Sequence, residues 1–204
     1  MATIPQRTIS QFKSKLIGGG TRPNLFEVQV NFPDQVNLAI QGDGGAEFDG
    51  DRFRFLCKAA SLPASNVANL EVPFRGRVLK VAGDRTFDPW TVTVINDKDF
   101  GHYRAFQAWA QNISQYGDSS GLTDPSSYMG NATVYQLGRN AASTQGSISP
   151  ATDSNILAQY RFVDIFPTAV GSIDLSYDSD NAIEEFTVDF QVQYWYPEAA
   201  GAGA

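Results

Sequence analysis

The chain has 204 residues, of which 42% are hydrophobic and 12% aromatic, and a formal net charge of −7. One domain of this size can bury a sizeable core, while the acidic balance and unclustered lysines and arginines exclude a nucleic-acid binder held by phosphate neutralisation. The single cysteine, Cys57, excludes an intrachain disulfide, and no run approaches the roughly 18 apolar residues of a membrane helix, so a soluble protein without an export signal is expected.

Eighteen glycines and ten prolines favour short strands joined by turns, hence an all-β or α+β class. Residues 1–22 read as an N-terminal arm: Ile9, Phe12 and Leu16 have the spacing of a short helix, and Gly18 to Gly20 form a hinge. From Pro23 the pattern becomes extended, with Phe26, Val28, Val30 and Phe32 on one face and Glu27, Gln29 and Asn31 on the other. The segment 36–50, with "QGDGGAEFDGD" beginning at Gln41, is expected to be a loop. It leads into "RFRFLCKA", where Phe53, Phe55 and Cys57 alternate with Arg54, Leu56 and Lys58 as in a hairpin strand.

Residues 61–83 contain Pro63 and Pro73 and so suit an edge or projecting hairpin rather than a central strand. Its Pro73, Phe74, Arg75, Gly76 and Arg77 combine the aromatic and arginine residues that interfaces favour. "WTVTVIND" follows as a clear strand, with Trp90, Val92 and Val94 on one face. Asn96 or Asp97 can cap a helix over about 98–116, whose stripe is Tyr103, Phe106, Ala110 and Ile113 with Trp109 alongside. Segments 117–129 and 139–155 are loops around the short strand "ATVYQLG". The chain then returns to strands in "AQYRFVDIFP", "GSIDLSYD" and "AIEEFTVDFQVQYWYP". In the last, Phe186, Val188, Phe190, Val192, Tyr194 and Tyr196 alternate without interruption, longer than a typical strand of about 5–6 residues.

No catalytic, cofactor-binding or metal-binding constellation emerges. Asp84, Arg85 and Asp88 could set one carboxylate against another through an arginine, but no histidine, nucleophile or metal ligand accompanies them. The simpler reading is that Gly83 makes a turn, Asp84, Arg85 and Asp88 pin it, and Trp90 begins the next strand. His102, the one histidine, cannot build a zinc site with one distant cysteine and reads as a surface or capping residue. Asp43, Asp49 and Asp51, like Asp178, Asp180 and Asn181, lack the spacing of a calcium loop and read as solvated turns. "GDGG" and "GGG" lack the residues of a phosphate cradle.

Together, "RPNLFEV", "CKAASLP", "VPFRGRVLKVAGDRTFDPWTVTVINDKDF" and "SIDLSYDSDNAIEEFTVDFQVQYW" resemble, in order, the tail tube proteins of contractile-tailed bacteriophages of the T-even type. The resemblance spans most of residues 22–196. It implies a mainly β (α+β) subunit of two packed antiparallel sheets with one flanking helix. Six copies would close a ring whose inner strands form a continuous barrel, and rings would stack into a tube. The domain would occupy 23–197, with a flexible tail over 198–204. The implied role is structural and not enzymatic: a virion tail tube, assembled in the host cytoplasm and needing no cofactor or membrane, through which DNA passes without specific binding. Implied partners are further copies of itself, the sheath, baseplate tube proteins, a tail terminator and a tape-measure protein. The inner tube of a contractile bacteriocin or of a type VI-like secretion apparatus shares the fold and is the alternative. The loops at 36–50, 117–129 and 139–155, and the tail "EAAGAGA", exceed the compact family pattern.

Overall fold

The computed structural model describes residues 8–16, 20–42, 49–138, 156–178 and 182–198. The expected loop at 139–155, the tail beyond Glu198, Asp43, Asp180 and Asn181 lie outside them. Within them the chain is mainly β, as the patterning requires. Six strands, β1 (Phe26–Asn31), β2 (Cys57–Ala60), β5 (Trp90–Ile95), β6 (Gly130–Leu137), β7 (Ile156–Val170) and β8 (Glu185–Glu198), form an antiparallel sheet of order β1-β6-β7-β8-β5-β2. The edge strands β1 and β2 approach each other, so this sheet curls nearly into a barrel. The second sheet is much smaller: β3 (Ser65–Phe74) and β4 (Arg77–Phe87) pair only with each other.

Period-two alternation explains the core. Val28 and Val30 of β1, Trp90, Val92 and Val94 of β5, and Phe186, Val188, Phe190 and Val192 of β8 are all buried. Trp90 stacks on Phe162 and leans on Phe190. The alternation of β8 does not continue to its end, however. Tyr194 and Tyr196 are 43% and 37% exposed, and it is Trp195 that turns back toward Phe162 and Tyr160. The cause lies in β7. Asp164 has φ 53°, and β7 spends one extra residue against β6 between the pairs Gly130↔Ile165 and Ala132↔Phe162. Such a bulge re-aims the side chains that follow it, so Phe162 and Ile165, three apart, both reach the core. Their β8 partners, Trp195 and Val192, follow.

Five helices flank the sheet among the described residues, where the sequence suggested one beside the arm: α1 (Ile9–Lys15), α2 (Asp34–Gly42), α3 (Gly50–Leu56), α4 (Gly101–Ile113) and α5 (Pro125–Tyr128). The arm helix α1 is present as expected, held by a reciprocal Thr8–Gln11 capping box. Two corrections concern 36–56. The first part of the expected loop, residues 36–42, belongs to α2, and "RFRFL" is helical rather than a strand. Asp49 accepts a hydrogen bond from the Arg52 amide at 3.0 Å and starts α3. A helix sets positions 53 and 55 on opposite sides, so Phe53 is buried while Phe55 is 70% exposed. A third correction is "GSIDLSYD", which forms no strand: residues 171–178 are irregular.

Helix α4 is shorter than expected and turned slightly about its axis. His102, Ala105, Phe106 and Trp109 are buried, with Tyr103 and Ile113 packed at the margin. Gly130 makes this docking possible: a Cβ there would lie 2.6 Å from the Asn31 carbonyl oxygen and 2.9 Å from the Trp109 ring. Trp109 also donates its indole N–H to the Tyr128 carbonyl at 2.7 Å.

Candidate functional site

The residues singled out for chemistry do not converge. Gly83, Asp84 and Arg85 stand inside β4 rather than at a turn. Between the pairs Val67↔Arg85 and Asn69↔Ala82, strand β4 spends one residue more than β3, so Gly83 marks a bulge. A Cβ on it would meet the Ala68 carbonyl oxygen at 3.2 Å. Arg85 forms no ion pair with Asp84 or Asp88 among the described residues. Asp88 does fix the root of the hairpin, accepting from the Asn66 side chain at 3.0 Å while its amide donates to the Ala64 carbonyl at 3.1 Å. Trp90, as expected, opens β5.

His102 is not at the surface. It is 3% exposed, stacks on Phe53, and lies with Nδ1 3.5 Å from Asp97. Asp97 is a buried junction: its Oδ1 accepts from the Gly101 amide at 2.9 Å, and its Oδ2 meets Arg52 Nη1 at 3.1 Å. The carboxylate thus ties α3 to the start of α4, whose N-cap is Phe100 rather than the Asn96 or Asp97 the sequence suggested. Asp49 and Asp51 are committed likewise, one to the α3 cap and the other to Arg54 at 3.1 Å. Among the described residues no cluster of histidine, cysteine or acidic side chains could hold a metal ion. Burial pushes the Cys57 thiol up to about 12, which leaves it protonated and poorly nucleophilic at neutral pH.

What the structure presents is surface. The ribbon β3–β4 touches the body mainly at its root, where Phe87 meets Trp195. Pairing places Ala68, Leu70, Val72, Phe74, Leu79 and Val81 on one face, against Asn69, Glu71, Lys80 and Ala82 on the other. The apolar face is open to water: Leu70 is 56% exposed, Phe74 67% and Leu79 62%. Its tip is a two-residue turn between Phe74 and Arg77, with φ 44° at Arg75 and 79° at Gly76. Positive φ at both positions is the hairpin turn whose twist matches its strands, and glycine supplies the second position without steric cost. The Arg75 guanidinium lies 5.4 Å from the centre of the Phe74 ring. The interface residues expected at 73–77 are therefore gathered at the end of a projecting arm.

Helix α1 adds a second open apolar stripe, with Ile9 76% and Phe12 66% exposed. A third feature escaped the sequence reading. Between β7 and β8, Asp174, Leu175, Tyr177, Ile183, Glu184 and Glu185 line an open cleft of about 600 Å3. Leu175 is 84% and Ile183 69% exposed, and Tyr177 is fully so. Alternation in "GSIDLSYD" signals an amphipathic segment, but does not show that only Ile173 reaches the core.

Comparison with known proteins gives these surfaces a context. The phage tail tube protein family matches residues 21–198. The tail tube protein gp19 of Enterobacteria phage T4 is 33% identical over 178 residues, covering 87% of this chain and 92% of that protein. The tail tube protein of Serratia phage KSP90 is 22% identical, covering 90% and 93%. Among solved structures, the sheath-tube complex of an extracellular contractile injection system (PVC, extended state) contains a chain with TM-score 0.57 at 16% identity, covering 94% of this chain and 98% of that one. A chain of the anti-feeding prophage baseplate reaches TM-score 0.58 at 10% identity, covering 89% and 97%. The barrel-like sheet, the projecting ribbon and the sequence match over nearly the whole chain lead to one assignment: this chain belongs to the phage tail tube protein family.

Proposed function

We propose that the chain is a structural, non-enzymatic subunit of a contractile phage tail. Six copies form a ring, rings stack into the inner tube, and DNA leaves the virion through the lumen without specific binding. The observation that carries this reading is the ribbon's open apolar face. A lone two-stranded ribbon is marginally stable in water, and Leu70, Val72, Leu79 and Val81, between 44% and 62% exposed, need a neighbouring copy to cover them. Residues 73–77 at its tip serve the ring-to-ring contact, and residues 1–22 act as an arm on the domain formed by 23–197. Pairing across subunits removes free sheet edges, which gives a tube its rigidity.

The net charge of −7 per chain fits a conduit to which DNA does not adhere, acting within about 8 Å of the wall at physiological salt. A sheath around the tube, a baseplate that nucleates it, a terminator that ends it and a tape-measure protein within it complete the proposed set of partners, with assembly in the host cytoplasm. Among the described residues no helix is long and apolar enough to cross a membrane. The inner tube of a bacteriocin or type VI-like apparatus would use the same fold; the match to phage tail tube proteins favours the phage reading. Electron microscopy of the purified chain tests the proposal. Rings or hollow tubes of uniform width are expected, and a strictly monomeric species at all concentrations and salts, even with baseplate present, overturns it.

A further inference from the structure

Of the exposed features, the ribbon and the β7–β8 cleft lie at opposite ends of the same strands. The ribbon is rooted at the Trp90 end of β5 and beside Trp195 of β8. The cleft adjoins the other end, where Ile95 pairs with Glu185. Ten residues of β8 separate Glu185 from Trp195, which at ~3.3 Å per residue is about 33 Å. The ribbon's root and the cleft of one chain therefore lie at opposite ends of β8.

Their chemistry is complementary. The tip offers Phe74 and two guanidinium groups, Arg75 and Arg77, neither of which has an ion-pair partner among the described residues. The cleft offers three exposed apolar side chains, Leu175, Tyr177 and Ile183, beside three carboxylates. Two of these are already engaged: Glu184 accepts from Asn96 at 2.8 Å and Glu185 pairs with Lys58 at 2.5 Å. Asp174 is exposed and has no ion pair among the described residues, so it is free to receive a guanidinium. A planar guanidinium suits a carboxylate geometrically as well as electrostatically, and an aromatic–arginine anchor entering an apolar-walled cleft is the usual composition of an energetic centre in an interface.

We propose that the Phe74–Arg77 tip of one copy docks in the β7–β8 cleft of a copy in the adjacent ring, with Asp174 receiving Arg75 or Arg77. The proposal rests on the tube reading above and names its contact. A tip at one end and a cleft at the other make a heterologous, head-to-tail interface, which propagates instead of closing on itself as a two-fold pair does. Each tip in a stack finds a cleft except at the terminus.

The test uses the full chain. Lysine retains the charge, so Arg75→Lys/Arg77→Lys should still assemble, and a zero-length carbodiimide should then link position 75 or 77 to Asp174 between chains, giving a ladder on a denaturing gel and the linked peptide by mass spectrometry. In parallel, Arg75→Glu/Arg77→Glu and Asp174→Lys should each reduce tube yield at least tenfold with an unchanged melting curve, and their combination should restore it. Tubes that give no such link, or a combined variant no better than its parents, overturn the proposal. If the unmodified chain forms neither rings nor tubes with baseplate present, it is the tube reading that fails.

Discussion

Trp90 stacks on Phe162 with ring centroids 4.5 Å apart and planes 16° from parallel. The two come from strands that are not neighbours in the sheet, β5 and β7, with β8 between them. Their contact therefore spans the curled interior rather than following a ladder. It is the point where curvature becomes packing.

Replacing Trp90 by alanine should cost about 3–5 kcal/mol, since a fully buried ring is lost and a cavity left behind. Trp90→Phe should cost clearly less, because the indole N–H has no acceptor among the described residues and ring stacking survives. Urea unfolding followed by circular dichroism would separate the two variants.

Gly130→Ala tests the docking of α4. The new methyl would meet both the Asn31 carbonyl oxygen at 2.6 Å and the Trp109 ring, and overpacking of this kind costs about 1–3 kcal/mol. A lowered midpoint of thermal unfolding is expected. An unchanged midpoint would mean that β1 and α4 yield more easily than their packing implies.

Cys57 ties stability to alkaline pH. Its ordinary value is 9.0 and burial raises it to about 12, so above pH 9 the unfolded chain releases a proton that the folded chain keeps. Stability from this group is fully present below pH 9 and falls as pH rises toward 12, by at most about 1.4 kcal/mol per pH unit. Cys57→Ala should flatten that part of the stability–pH curve. The native thiol should also resist maleimide at pH 7 and react once unfolded.

Gly76→Val addresses the ribbon tip. At φ 79° a β-branched residue is strained, at a cost of about 1–3 kcal/mol. The strain falls on a projecting element, so the melting point of the body should hardly move while tube formation is impaired. Deletion of Pro73 to Arg77 should likewise leave a soluble subunit that cannot elongate. Normal tubes from either variant, seen by negative-stain microscopy, would remove the tip from the assembly contact.

Legibility from the sequence followed the reach of the forces involved. Strands β1, β5 and most of β8 were readable because alternate burial writes itself into alternate residues. Helix α4 was readable because its apolar stripe is local, although its N-cap is Phe100 and not Asn96 or Asp97. Helix α3 was not: over three turns or fewer, apolar residues at 53 and 55 satisfy a strand template, and the deciding Asp49 cap lies just outside the pattern. His102 was misplaced because its surroundings, Phe53 and the Asp49 carbonyl, come from about fifty residues earlier in the chain. The face change at Trp195 is set by a backbone angle in another strand, which no pattern within β8 records. The ribbon tip could be located from Pro73 and the Phe-Arg-Gly-Arg string, whereas the cleft depends on what the fold leaves uncovered.

The ribbon leaves the body at only one end, so any column of such subunits has polarity. In the proposed tube one face of each ring would carry the arms and the other would not. In that tube the two extremities would require different molecules to begin and to finish the column, and growth by subunit addition would proceed through one chemistry alone. A cap shaped for the bare face would find nothing to hold at the other.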